Sequence, residues 1–178
     1  MSTGIMQERL ERRFDMWDSN HNGLNERSDY ETEANNILRA FGEDASTPQG
    51  KALISSFTAM FEYFAEKAGV GPHGAMNKQQ FMQVVEAEVF EGGDAGFSRA
   101  VRPTIQAIMN LIDTDGDGQI NPVEFEKYLR VIGVDDMSAQ EAFAQIDTDG
   151  NGMLSIDELV DAVRAYHFGT LDVPLLGR

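Results

Sequence analysis

Two stretches of this chain, LIDTDGDGQINPVEFEKYL over 111–129 and QIDTDGNGMLSIDELVDAV over 145–163, superimpose without a gap at a spacing of 34 residues. In each, oxygen-bearing side chains fill loop positions 1, 3 and 5, a glycine follows at 6, and a glutamate stands at 12. The earlier loop offers Asp113, Asp115, Asp117, Gly118 and Glu124; the later one offers Asp147, Asp149, Asn151, Gly152 and Glu158. Apolar residues recur at helical spacing on both sides. Ile105, Ile108, Met109 and Ile112 precede the earlier loop, and Phe125, Tyr128 and Leu129 follow it. Phe143 and Ile146 precede the later loop, and Leu159, Ala162 and Val163 follow it. Each loop is therefore expected between two amphipathic helices. One such unit alone leaves its apolar face bare, so the units are expected to pack in pairs.

The spacing suits a hard cation. Calcium takes six to eight oxygens at about 2.3–2.6 Å, and alternate residues of a tightly coiled loop converge on one point. The chain must then reverse at position 6, where only glycine adopts a positive φ without strain. The carbonyls of Gln119 and Met153 face inward at position 7, and Asn121 and Ser155 at position 9 add oxygen directly or through water. Glu124 and Glu158 close the sphere from the following helix. Helix–loop–helix units with this ligand pattern are identified as EF-hands.

The same template finds a third unit in FDMWDSNHNGLNERSDY over 14–30. Asp18, Asn20 and Asn22 occupy positions 1, 3 and 5, Gly23 position 6, Leu24 offers its carbonyl at 7, Glu26 stands at 9 and Asp29 at 12. Two departures stand out. Asn25 replaces the usual aliphatic residue at position 8. Asp29 is one methylene shorter than Glu, which favours six-coordination and hence magnesium competition at this loop. The competing reading is a loop kept only for structure.

A fourth unit keeps the outline and drops the ligands. In GVGPHGAMNKQQF over 69–81, positions 1, 3, 5 and 12 become Gly69, Gly71, His73 and Gln80, with Gly74 at 6 and Met76 at 8. A lone imidazole is a poor calcium ligand. This loop is expected to be silent, a packing partner for the first, with Asn25 beside Met76 as Ile120 is beside Leu154.

Composition bounds the remaining possibilities. The 178 residues carry 14 Lys+Arg against 30 Asp+Glu, a formal net charge of −16. That excess disfavours nucleic acid and anionic membranes and favours cations as partners. There is no cysteine, hence neither a disulfide frame nor a thiolate metal site. No apolar run of about 18 residues would span a membrane, and MSTGIMQERLERRF lacks a secretory h-region, so a cytoplasmic monomer is expected. No nucleophile elbow, phosphate loop or zinc-type His pair is present, and the expectation is that the chain is not an enzyme.

The stretches RRFDMWDSNHNG, ERSDYETEA, EKAGVGPHG and AYHFGTLDVPLLG, with the silent second loop and the long step from residue 18 to 69, resemble the prokaryotic members of the sarcoplasmic calcium-binding protein family over essentially the full length. The resemblance implies an all-α fold of four units in two pairs packed into one body, an N-terminal pair over 1–95 and a C-terminal pair with a tail over 96–178. It implies about three Ca2+ held by loops one, three and four for buffering or transport. A sensor that opens a groove to a protein partner is the alternative. Against it, the nine methionines are scattered, and Phe168, Leu171, Val173, Leu175 and Leu176 of the tail are expected to fold back into an internal groove, with Pro174 ending any helix; a frayed terminus is the competing reading. Light-emitting relatives of this architecture line a cavity with His, Trp and Tyr. With one Trp, and two of three His inside loops, His167 beside Tyr166 reads as packing.

Overall fold

Three of the four helices that leave a loop start on the same reciprocal cap. The residue at loop position 9 accepts from the N–H of position 12, whose own side chain accepts from the N–H of position 9. The pairs are Asn77 with Gln80 (2.9 Å each way), Asn121 with Glu124 (2.8 and 3.0 Å) and Ser155 with Glu158 (3.2 and 3.0 Å). In the first unit Asp29 accepts from the Glu26 N–H at 2.9 Å. Position 12 thus fixes a helix start before any ion is considered.

The computed structural model describes residues 4–135 and 137–175; Leu176 lies outside them. Among the described residues eight α-helices run in the order α1 Gly4–Trp17, α2 Arg27–Ala40, α3 Pro48–Ala68, α4 Lys78–Val85, α5 Gly93–Ile112, α6 Pro122–Val131, α7 Ala139–Ile146 and α8 Ile156–Phe168. The all-α expectation of four helix–loop–helix units is met. Two residues per loop form the only sheet among the described residues: β1 Leu24–Asn25 pairs antiparallel with β2 Met76–Asn77, placing Asn25 opposite Met76. Ile120 and Leu154 make the equivalent bridge, exchanging N–H···O bonds of 2.9 and 2.8 Å.

Asn25 is fully buried at its bridge, where an amide needs partners. Its Nδ2 donates to the Phe14 carbonyl at 3.3 Å, and Tyr30 Oη donates to its Oδ1 at 3.4 Å. The polar residue at position 8 is thus satisfied by the two helices of its own unit.

The helical periodicity buries its apolar stripes. Phe14, Trp17, Tyr30, Phe57, Phe61 and Phe81 form an aromatic cluster, with Trp17–Tyr30 at 4.9 Å and Tyr30–Phe61 at 5.1 Å between centroids. Ile105, Ile108, Met109, Ile112, Phe125, Tyr128 and Leu129 continue the core in the later units. Two features were not legible in that periodicity. Past Val85 the helix widens into a π-helical turn, Glu86–Phe90, and α5 carries Pro103 in its interior, where no N–H can reach the carbonyl four residues back.

The tail folds back. Gly169, at φ 83°, caps α8 in a left-handed conformation, so the helix ends at Phe168, short of Pro174, the stop expected from sequence. Val173 and Leu175 are buried, and Tyr128 Oη donates to the Leu175 carbonyl. Arg9 of α1 holds the same segment, donating to the carbonyls of Tyr166 and Leu171 and to Asp172 Oδ1, the last two at 2.8 Å. Leu175 lines the groove between α5, α6 and α8, beside Ile105, Met109 and Phe125.

Candidate metal centres

Loops one, three and four share one backbone conformation. Residues at positions 4 and 6 are left-handed in all three: His21 (56°) with Gly23 (80°), Gly116 (71°) with Gly118 (80°), and Gly150 (66°) with Gly152 (81°). A Cβ at Gly23, Gly118 or Gly152 would meet nothing within 4 Å. Backbone conformation, not space, therefore requires glycine there.

The side chains of positions 1, 3 and 5 lock that path through bonds to loop N–H groups. At position 1, Asp18, Asp113 and Asp147 accept through Oδ2 from the position-6 glycine at 2.8, 2.8 and 2.9 Å. At position 3, Asn20, Asp115 and Asp149 accept from the N–H of position 5 at 3.2, 3.2 and 3.1 Å. At position 5, Asn22, Asp117 and Asn151 accept from Leu24, Gln119 and Met153 N–H at 3.0, 2.9 and 2.9 Å. Asn20, Asn22 and Asn151 use their single side-chain oxygen in this way, and Asp18 and Asp113 also accept through Oδ1, from the Asn22 and Asp117 N–H groups at 3.1 and 3.2 Å.

Carboxylates converge as the spacing requires. Oxygens of Asp113, Asp115 and Asp117 lie within 4.8 Å of one another, as do those of Asp147, Asp149 and Glu158. Glu124 and Glu158 are buried. Glu124 Oε2 accepts from Thr114 N–H at 2.7 Å and Thr114 Oγ1 at 3.0 Å; Glu158 Oε2 accepts from Thr148 Oγ1 at 3.4 Å. The threonine at position 2, not singled out in the sequence, orients the closing glutamate in both loops. In the first loop Ser19 takes that place, donating to Asp29 Oδ1 at 2.8 Å.

The electrostatics are those of a cation cradle. Asp147 Oδ1 is buried with no hydrogen-bond partner among the described residues, a costly state for a carboxylate. Its neighbour Asp149 accepts from the Asn151 N–H, which pulls its carboxyl down. Burial and the facing Asp147 and Glu158 groups outweigh that and hold it above the usual carboxylate range. In the third loop burial raises Asp113, but bonds from Gly118 and its other neighbours win and leave it low. Asp115 is lowered by the Asp117 N–H, yet ends raised by Asp113, Asp117 and Glu124. A divalent cation relieves such crowding, so the donor set fits a hard metal ion.

The loop over 69–80 departs in backbone as well as side chains. Its left-handed residues are Gly69 and Gly71, both at 78°, at positions 1 and 3 instead of 4 and 6. Pro72 stands at position 4, where its ring fixes φ near −65°. Gly74 is not left-handed; a Cβ there would lie 2.1 Å from the Val70 carbonyl oxygen. The entering helix also ends differently. Asp18, Asp113 and Asp147 donate to the carbonyl four residues back, whereas Gly69 caps α3 in the left-handed region. Pro72 was the readable signal for this.

Models of the EF-hand domain and the EF hand match residues 138–169 and 105–129. Calerythrin from Saccharopolyspora erythraea is 46% identical over 177 residues, 99% of this chain and all of the relative. A Streptomyces coelicolor calcium-binding protein, described in terms of prokaryotic calcium-mediated regulation, superimposes with a TM-score of 0.71 at 28% identity, covering 92% of this chain and 98% of that one. Calcium-loaded apo-aequorin from Aequorea victoria superimposes with a TM-score of 0.74 at 21% identity, covering 93% and 92%; that likeness concerns the fold.

Proposed function

The chain belongs to the calerythrin family of EF-hand calcium-binding proteins, and from that premise we propose that it buffers or transports calcium, holding about three ions in loops one, three and four. The observation that carries this is the buried, unpartnered Asp147 Oδ1 facing Asp149 and Glu158, an arrangement that a bound cation makes favourable. In loop three the ion takes Asp113, Asp115, Asp117, the Gln119 carbonyl and Glu124. In loop four it takes Asp147, Asp149, Asn151, the Met153 carbonyl and Glu158. In loop one it takes Asp18, Asn20, Asn22, the Leu24 carbonyl and Asp29, with magnesium competing because Asp29 is one methylene shorter than the glutamates of the other two loops. The ion supplies charge neutralisation and cross-linking of each loop; the protein supplies preset oxygens. The units pair as 1–95 and 96–178, in a cytoplasmic monomer.

Buffering is favoured over sensing by the tail. Leu175 is buried against the groove of the later pair, where an amphipathic target helix would otherwise seat. Calorimetric titration with calcium, with and without magnesium, tests the stoichiometry, and a hydrophobic dye tests the role. Three sites, one weakened by magnesium, and flat dye fluorescence are expected. Strong dye binding on calcium addition would favour the sensor, and two sites would remove loop one.

A further inference from the structure

The exit helices of the first and third units do not pack closely on each other. Between them lies a half-open cleft of about 200 Å3. Its floor and walls are aromatic and aliphatic, with Trp17, Phe57, Ile108 and Tyr128 deepest and Val131 at the α6 wall. One wall, on α2, carries Glu33 and, toward solvent, Asn36, whose Oδ1 accepts from the Arg39 guanidinium. Glu33 is half-buried, and its carboxylate makes no hydrogen bond to another described residue. No loop ligand lines this space, so it is separate from the metal centres.

A carboxylate facing an apolar cleft is poorly solvated and favours a positive partner. Arg13 is the nearest internal cation, buried on the far side against Trp17. Burial nevertheless outweighs the Arg13 charge and holds the Glu33 carboxyl above its ordinary range, so the guanidinium leaves it short of counter-charge. Aromatic faces around a carboxylate are also the setting in which an ammonium head is best held, while the surrounding walls take an apolar body.

We propose that this cleft is a binding site for a small amphiphilic amine, its ammonium on Glu33 and its apolar body against Trp17, Phe57 and Tyr128. The site goes beyond calcium binding and requires none of the loop assignments. It is tied to the first unit by position: Trp17 precedes the position-1 residue Asp18, and Glu33 lies one turn past Asp29.

Trp17 is the only tryptophan, so its fluorescence reports the cleft directly. The full chain, at fixed saturating calcium, is titrated with phenethylamine and, separately, with the uncharged 2-phenylethanol. The amine should give a saturable change in Trp17 emission and bind at least about tenfold more tightly than the alcohol, a difference of ~1.4 kcal/mol. E33Q should abolish that preference. V131F narrows the cleft from the α6 wall and should weaken both probes while the circular dichroism spectrum stays unchanged. Equal binding of the two probes, an unaltered preference in E33Q, or no saturable change would each overturn the proposal. So would a large gain in amine affinity on deleting residues 176–178, which would assign the cleft to the chain's own end.

Discussion

At the scale of single residues, position 12 caps its helix whether it carries a carboxylate or an amide. Glu124 and Glu158 cap their helices through one oxygen, and Gln80 performs the same cap with an amide in the loop that lacks the calcium pattern. E158Q should therefore keep α8 folded while weakening calcium at loop four by at least about tenfold, ~1.4 kcal/mol, read by calorimetry; unchanged affinity would show that Glu158 is not a ligand. D29E supplies the missing methylene and should raise the calcium-over-magnesium preference of loop one in competition titrations. His167 illustrates a group whose type was legible and whose state was not. Burial, then Arg13, drives its pKa down to about 3, while its Nδ1 meets the Val163 carbonyl at 2.9 Å. Its folded pKa lies below its unfolded one, so the unfolded chain binds the proton first. Stability from this group is full above about pH 6.5 and falls as the pH drops toward 3. Melting with saturating calcium at pH 7 and 5 should show a loss of up to about 2 kcal/mol, smaller in H167Q.

At the scale of elements, the helices and the three oxygen-rich loops could be read from spacing because two periodicities coincide there, the oxygens at alternate loop positions and the apolar residues at helical intervals. The loop over 69–80 was only half legible. Its missing carboxylates were evident, but its altered backbone depends on Pro72 at a place where the others turn left-handed. Restoring ligands alone should therefore fail. A variant carrying G69D, G71D, H73D and Q80E should bind no additional calcium in equilibrium dialysis, and adding P72G should create a weak fourth site. A fourth ion in the chain that keeps Pro72 would contradict this account. The π-helical turn escaped for a different reason: its position depends on tight backbone approach, since a Cβ at Gly96 would lie 2.4 Å from the Glu88 carbonyl oxygen. Such approach leaves no trace in hydrophobic period. The tail's course was legible in its apolar residues, yet Arg9, which fastens it from 162 residues away, could not be found without the fold.

At the scale of the whole molecule, calcium acts on a strongly acidic chain. Three ions would change the formal charge from −16 to about −10 and remove carboxylate repulsion within each loop. Each site at 100 times its Kd adds about 2.7 kcal/mol, so three together should raise the melting temperature by on the order of 15–30 °C over chelated protein. Identical melts in chelator and calcium would show that the ions do not stabilise the fold. The paired loops make this a property of the assembly, because the first loop rests on the loop over 69–80 through Asn25 and Met76. The most direct test is a diffraction map from crystals grown in calcium. Three peaks of ion density are predicted, beside Asp18, Asp113 and Asp147, with none in the loop of Pro72. Absence of density beside Asp113 and Asp147, or a peak at Gly71, would contradict the account.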